Sequence, residues 1–237
     1  MSGRKKKGDI IMGKMKLNGG SSDKGSVTFF SSRSEIGVKA SIKPSGAIET
    51  EVVSTAENRK NMVTLLKVLI GCGLFREVVV IFDLPKFLYH VPTAVFVAVL
   101  LVALIYVRAN EIVKFHGAEH KVAHWYEKTI IREKRKKDVF KYSRIHSQCG
   151  SNLIATICEM YLISSIIFSM TGRQIPEILT MGLPLFVYGI FPFNVLGLLV
   201  QLVSTAEPED KEIAVATAAL RGLLEVEAKK EEEQKVS

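Results

Sequence analysis

The chain lacks the features of a secreted, fibrous or nucleic-acid-binding protein. Its three cysteines are an odd number and rule out a disulfide framework, and 17 glycines in 237 residues are too few for a collagen-like repeat. Residues 1–23 are basic and then rich in Gly and Ser, without the apolar core of a secretory signal peptide. No RNP, helix-turn-helix or zinc-finger spacing is present, so we expect no nucleic-acid partner despite the net charge of +8.

Apolar and charged residues are segregated along the chain. Apolar residues make up 48%, charged residues 24%, and the mean hydropathy is +0.22. A disordered protein would be less hydrophobic, and an ordinary soluble domain would mix the two classes at the period of a helix or a strand. The segregation therefore predicts a membrane protein with polar segments outside the lipid bilayer.

Long apolar runs predict a mainly α, polytopic membrane helix bundle of about four spans. Val91–Val107 has 17 residues without a charge, which at about 1.5 Å per residue is near the lower limit for crossing a core of about 30 Å. We expect two helical hairpins, one within residues 56–107 and one within residues 151–203. The first run, Met62–Phe82, is broken by charges, and a re-entrant segment is the alternative.

Four further segments are polar. Alternating Val38, Ala40 and Ile42 before the turn Pro44–Gly46 predict a β-hairpin. The expected order is a basic flexible arm (1–26), a cytoplasmic β-hairpin element (27–55), a cytoplasmic His-rich segment (108–150), and a cytoplasmic amphipathic helix with its tail (204–237).

The distribution of Lys and Arg predicts the topology. Of 32 such residues, 29 lie in Met1–Lys67, Arg108–Ser151 and Thr205–Ser237. Basic loops stay in the cytoplasm, so these three segments are expected on the cytoplasmic side. This predicts a multi-pass protein of the cytoplasmic (inner) membrane with both termini in the cytoplasm.

The most informative motif is H-x-x-E-H at His116–His120. His116 and His120 lie about 40° apart around a helix, so both imidazoles can bind one metal ion, for which Zn²⁺ is the first candidate and another divalent metal the alternative. Glu119 lies on their flank, where it can act as a catalytic general base. The competing interpretation is a solvated helix whose histidines have no shared role.

Further ligands are expected nearby. Glu127 continues the stripe, and His146 with Cys149 form an H-x-x-C pair in the same segment. One of these three would complete an open catalytic site with His116 and His120, whereas binding by all of them would make a closed structural site. The other candidate residues are His124, Lys121, Arg144 and Glu159.

Several runs resemble the YqhQ family of bacterial membrane proteins, whose members are predicted metal-dependent enzymes. The similarity rests on Phe115–Lys121, Tyr126–Glu127, Arg144 to Gly150 and Thr205 to Pro208. It implies that His116, Glu119, His120, Lys121 and Glu127 occupy the family's motif positions. The family's H-P-R-C-G-T run is His146–Ser151 here, without its Pro and Arg.

Three functions compete at this point. The first is a membrane-embedded metal-dependent hydrolase that acts on a lipid or a membrane peptide at the cytoplasmic interface. The second is a metal-stabilised membrane scaffold that binds a partner without catalysis. The third is a transporter that uses Glu159, a carboxylate inside an apolar run.

Overall fold

The computed structural model describes residues 15–131, 138–147, 149–172 and 195–236. These residues form two compact units. The first unit is built from the described parts of Met1–Thr55, Phe115–Arg144 and Glu207–Ser237, and the second from those of Ala56–Lys114 and Ile145–Ala206.

An antiparallel sheet opens the first unit. Its strands are β1 (Leu17–Asp23), β2 (Ser26–Ser31), β3 (Ile36–Ile42) and β4 (Ile48–Ser54), and they pair in chain order. Strands β3 and β4 are joined across the turn Pro44–Gly46, where Lys43 N–H donates to the carbonyl of Ala47 at 2.9 Å.

Helices make up most of the remainder. They are α1 (Ala56–Ile81), a 3₁₀ turn (Lys86–His90), α2 (Val91–Ala109), α3 (Ile112–Tyr126) with a π-helical turn (Glu127–Ile131), a 3₁₀ turn (Val139–Lys141), α4 (Gly150–Thr171), α5 (Val195–Ser204) and α6 (Asp210–Val236).

One apolar core joins the three chain segments of the first unit. The sheet contributes Val27, Phe29, Val38 and Ala40 to this core. Helices α3 and α6 each present one apolar stripe at a spacing of three to four residues. The stripes are Phe115, Ala118, Val122 and Tyr126 on α3, and Ile213, Ala216, Leu220 and Leu223 on α6.

The β-hairpin predicted within residues 27–55 is present as β3 and β4 in a four-stranded sheet, and the expectation that is corrected is the flexible arm over residues 1–26. Strand β1 lies within the segment predicted as a flexible arm, and it pairs Gly20 with Phe29 and Ser22 with Val27. A ladder of backbone hydrogen bonds needs no apolar side chains, so a Gly/Ser-rich stretch can join a sheet that neighbouring elements bury. Residues 1–14 lie outside the described part.

The second unit contains two helical stretches that are long and apolar enough to cross a membrane. Lys86–Ala109 has 24 residues, and its most apolar 18-residue window has a mean hydropathy of 2.4; Gly150–Thr171 has 22 residues, and its most apolar window reaches 1.8. Only 11% of the most apolar part of the first stretch is buried. Exposed apolar surface on this scale indicates association with a membrane.

The predicted four-span bundle is wrong. Among the described residues, only these two stretches meet the length and hydropathy of a span. Helix α1 extends over 26 residues but carries charged residues throughout, including Lys60, Lys67 and Arg76. Of the expected second hairpin, residues 173–194 lie outside the described part, and the ten-residue apolar helix α5 follows them.

Arg76 is the polar centre of the second unit. Its guanidinium is fully buried and lies 4.6 Å from the ring centroid of Tyr89 and 4.4 Å from that of Tyr161. It donates hydrogen bonds to the Tyr89 carbonyl at 3.2 Å and to Ser165 Oγ at 3.0 Å. Cation–π contacts and these acceptors compensate the cost of removing the charge from water.

Candidate metal centre

Helix α3 places the candidate residues beside the core of the first unit. Measured around the helix from Phe115, Tyr126 lies at about 20°, Glu119 at about 40°, His116 at about 100° and His120 at about 140°. Packing of the apolar stripe into the core therefore fixes the direction of the histidines. Glu119 lies between the apolar stripe and the histidine stripe, and its side chain is buried.

His116 and His120 come together as the sequence predicts for one face of a helix. Their ring centroids are 4.4 Å apart, and one ring nitrogen of each lies within 4.8 Å of the other. His120 Nδ1 is hydrogen-bonded to the carbonyl oxygen of Arg144. A carbonyl only accepts, so Nδ1 is the donor, and in the neutral imidazole Nε2 then has the lone pair that a metal ion needs.

Glu119 is held against strand β1. Its side chain is 7% exposed, and Ser22 forms a side-chain hydrogen bond with it. Within the described residues, its Oε2 is buried and has no hydrogen-bond partner. Burial raises the pKa of this carboxyl, while its electrostatic interaction with His116 and the hydrogen bond from Ser22 act in the opposite direction.

Gly20 makes the position of Glu119 possible. A Cβ atom at residue 20 would lie 2.6 Å from Glu119 Oε1 and 3.0 Å from the carbonyl oxygen of Thr28. Any larger side chain would displace the carboxylate or the strand. Sequence reasoning missed Gly20 and Ser22 because it assigned both to a flexible arm, and a long-range contact leaves no local signal.

Lys121 and Arg144 have positioning contacts within the first unit. Lys121 Nζ is buried and donates to the carbonyls of Phe140 at 2.7 Å and Tyr142 at 2.9 Å, and it pairs with Glu207 at 2.9 Å. These bonds hold the segment that ends at Arg144. The backbone carbonyl of Arg144, rather than its side chain, orients His120.

His124 and Glu127 form a second pair farther along α3. One ring nitrogen of His124 and one carboxylate oxygen of Glu127 lie within 4.8 Å of each other, and both residues are half-buried. Glu127 is the first residue of the π-helical turn.

The other predicted residues lie in the second unit. His146 is buried, and its backbone N–H donates to Gln201 Oε1 at 2.9 Å. Cys149 precedes α4, and its N–H donates to the carbonyl of His146 at 3.2 Å. Glu159 lies half-buried on α4. The roles of His146, Cys149 and Glu159 stay predictions.

Comparison with known proteins identifies the family. The family model described as a protein of unknown function, DUF1385, matches residues 25–191, so the chain belongs to that family. The chain is 29% identical over 157 residues to the uncharacterized protein YqhQ of Bacillus subtilis (strain 168). The match covers 54% of this chain and 45% of YqhQ. The chain thus matches a little under half of that relative's length, and the resemblance to the YqhQ family is confirmed. No solved structure matches the chain.

The contact between Gly20 and Glu119 generates a stability prediction. Gly20→Ala should destabilise the metal-free protein by about 1–3 kcal/mol, because the new methyl group overpacks a closed space. The measurement is the melting temperature of the detergent-solubilised chain. Ser21→Ala, at the neighbouring exposed position of β1, is the matched control and should leave the melting temperature unchanged.

A double variant identifies the partner. In the Gly20→Ala/Glu119→Ala protein, the carboxylate is gone, so the two single effects should be non-additive by about 0.5–3 kcal/mol. Equal melting temperatures of the Gly20→Ala and Ser21→Ala proteins would contradict the packing of Glu119 against β1.

Proposed function

We propose that this member of the DUF1385 family is a membrane-associated metal-dependent hydrolase whose site lies on α3. His116 and His120 would bind Zn²⁺, and Glu119 would accept a proton from the attacking water. The observation that supports this most directly is the pair of imidazoles with the bond from His120 Nδ1 to the Arg144 carbonyl. Outer bonds of this kind are typical of histidines that bind metal ions.

The donor set fits the ion. Neutral imidazoles are preferred ligands of Zn²⁺, and the tautomer fixed at His120 provides an Nε2 lone pair. The unpartnered Oε2 of Glu119 provides a buried proton acceptor on the flank of both rings. When bound, Zn²⁺ would supply Lewis acidity and lower the pKa of a coordinated water to about 7.

The chain's own residues would do the remaining work. Ser22 and Gly20 hold the carboxylate of Glu119 from the side of the sheet, so its direction is set before any substrate binds. Lys121 orders the segment whose carbonyl orients His120. His146 and Cys149 stay candidates for additional ligands from their spacing in the sequence.

The core of the first unit supports a topology. Residues 15–55, 115–144 and 207–236 pack together, so they lie on the same side of any membrane that the protein enters. The Lys and Arg residues of these three segments favour the cytoplasmic side, in a cytoplasmic membrane, with both termini there. The substrate would be a lipid or a membrane peptide at that interface.

The second candidate is a metal-stabilised scaffold without catalysis. Its support is the burial of Glu119 against β1, because a side chain that ties a helix to a sheet is expected to be buried whether or not it transfers protons. The two functions differ in what happens when only the proton acceptor is removed.

The topology is tested by reporters. A reporter fused after Ser237 and another inserted in the turn Pro44–Gly46 should both be active only in the cytoplasm, because both sites belong to the unit that shares one core. Alkaline phosphatase activity from either fusion, which requires export, would contradict the proposed topology.

The metal site is tested by stoichiometry. His116→Ala and His120→Ala should each lose the ion bound at this site, because the loss of one imidazole leaves too few donors to compete with cellular metal buffers. The measurement is the metal content of purified protein by mass spectrometry. His90→Ala is the matched control, since His90 lies on the 3₁₀ turn of the second unit and should keep the full metal content.

Catalysis is tested by Glu119→Gln. This change keeps the size of the side chain and removes the proton acceptor, so the protein should reach normal abundance and bind metal while failing to complement a deletion. Loss of a general base costs on the order of 10²–10⁴ in rate. Complementation at native abundance by the Glu119→Gln protein would overturn the hydrolase and favour the scaffold.

A further inference from the structure

The end of α3 carries a donor pair that the proposed hydrolase site does not use. His124 and Glu127 offer a ring nitrogen and a carboxylate oxygen within 4.8 Å of each other. Both side chains are half-buried, so they are partly shielded from water and still accessible to an ion. This geometry matches that of His116 and His120, whose ring nitrogens meet the same distance limit.

The two pairs are separate along the helix. At about 1.5 Å per residue, His124 lies about 12 Å farther along the axis than His116, and Glu127 about 16 Å farther. Donors of one Zn²⁺ ion lie about 2.0–2.3 Å from the metal, and bridged two-metal sites place their ions about 3.5–4 Å apart. The donor atoms of the described residues also fall into two groups that share no residue, one with His116 and His120 and one with His124 and Glu127.

The local backbone gives independent support. α3 changes from α-helical to π-helical hydrogen bonding at Glu127, and π-turns inside helices occur frequently at functional sites. The turn is also held in place within the first unit, since Thr129 Oγ1 lies 3.2 Å from Tyr142 Oη and Lys128 Nζ lies 5.7 Å from the Tyr142 ring centroid. The donors therefore lie on an ordered backbone.

We propose that His124 and Glu127 form a second divalent-cation site on α3, distinct from the site of His116 and His120. One imidazole and one carboxylate suit a transition-metal ion such as Mn²⁺ or Zn²⁺, with water in the remaining positions. Such an ion links residues three apart across the start of the π-helical turn. The second site does not depend on catalysis at the first.

The test counts ions in the full-length chain. Detergent-purified protein is stripped with chelator, dialysed against Zn²⁺ or Mn²⁺ in separate arms, and analysed for bound metal per chain. We expect two ions in the wild type with Zn²⁺. His124→Ala and Glu127→Gln should each reduce the count to one, and His116→Ala should also leave one. Glu225→Gln, at an exposed carboxylate of α6, is the matched control and should keep two ions.

The outcomes separate the second site from the proposed function. If the wild type binds one ion, and this ion is lost in the His116→Ala protein but kept in the His124→Ala protein, the second site is overturned and the proposed hydrolase site is supported. If the single ion is lost in the His124→Ala protein but kept in the His116→Ala protein, the second site is supported and the metal site of His116 and His120 is overturned. A single ion lost in both variants would show one shared site and overturn the proposal. The number of ions bound by the wild-type protein is measured without any substitution, so the test remains valid even if a variant fails to fold.

Discussion

The apolar core shared by the sheet, α3 and α6 is the constraint on which the rest of the structure depends. It joins three chain segments that two apolar segments separate, so it determines both the direction of α3 and the side on which those segments meet. Once Phe115, Val122 and Tyr126 are buried, the helical repeat leaves no freedom in where His116 and His120 point. A local motif thereby becomes a site with a fixed geometry.

The burial of Glu119 is costly, and the surroundings offset that cost only in part. Ser22 supplies one hydrogen bond, whereas Oε2 has no partner among the described residues. A buried polar atom without a partner typically costs about 1–3 kcal/mol. Gly20 leaves space for this carboxylate, although a glycine in a strand loses more conformational entropy on folding than other residues. The register shift between Leu17 and Gly20 lies beside this position.

α3 combines structural and chemical functions along its length. Its apolar stripe completes the core, Lys121 holds the segment that ends at Arg144, and two donor pairs follow each other toward the π-helical turn. Functional groups on a packed helix are held more precisely than groups on loops, because their backbone cannot shift without disturbing the core.

The sequence by itself determined the features that depend on near neighbours. The four-residue spacing placed His116 and His120 on one helical face, and the uncharged run Val91–Val107 identified an apolar helix, because both follow from the local repeat and composition. The tertiary structure alone decided that the Gly/Ser-rich stretch forms β1, since backbone pairing with β2 needs no side-chain pattern. It also decided that Gly20 lies against Glu119 and that a carbonyl orients His120. Such contacts join residues distant in the chain, and only the packing of the core brings them together.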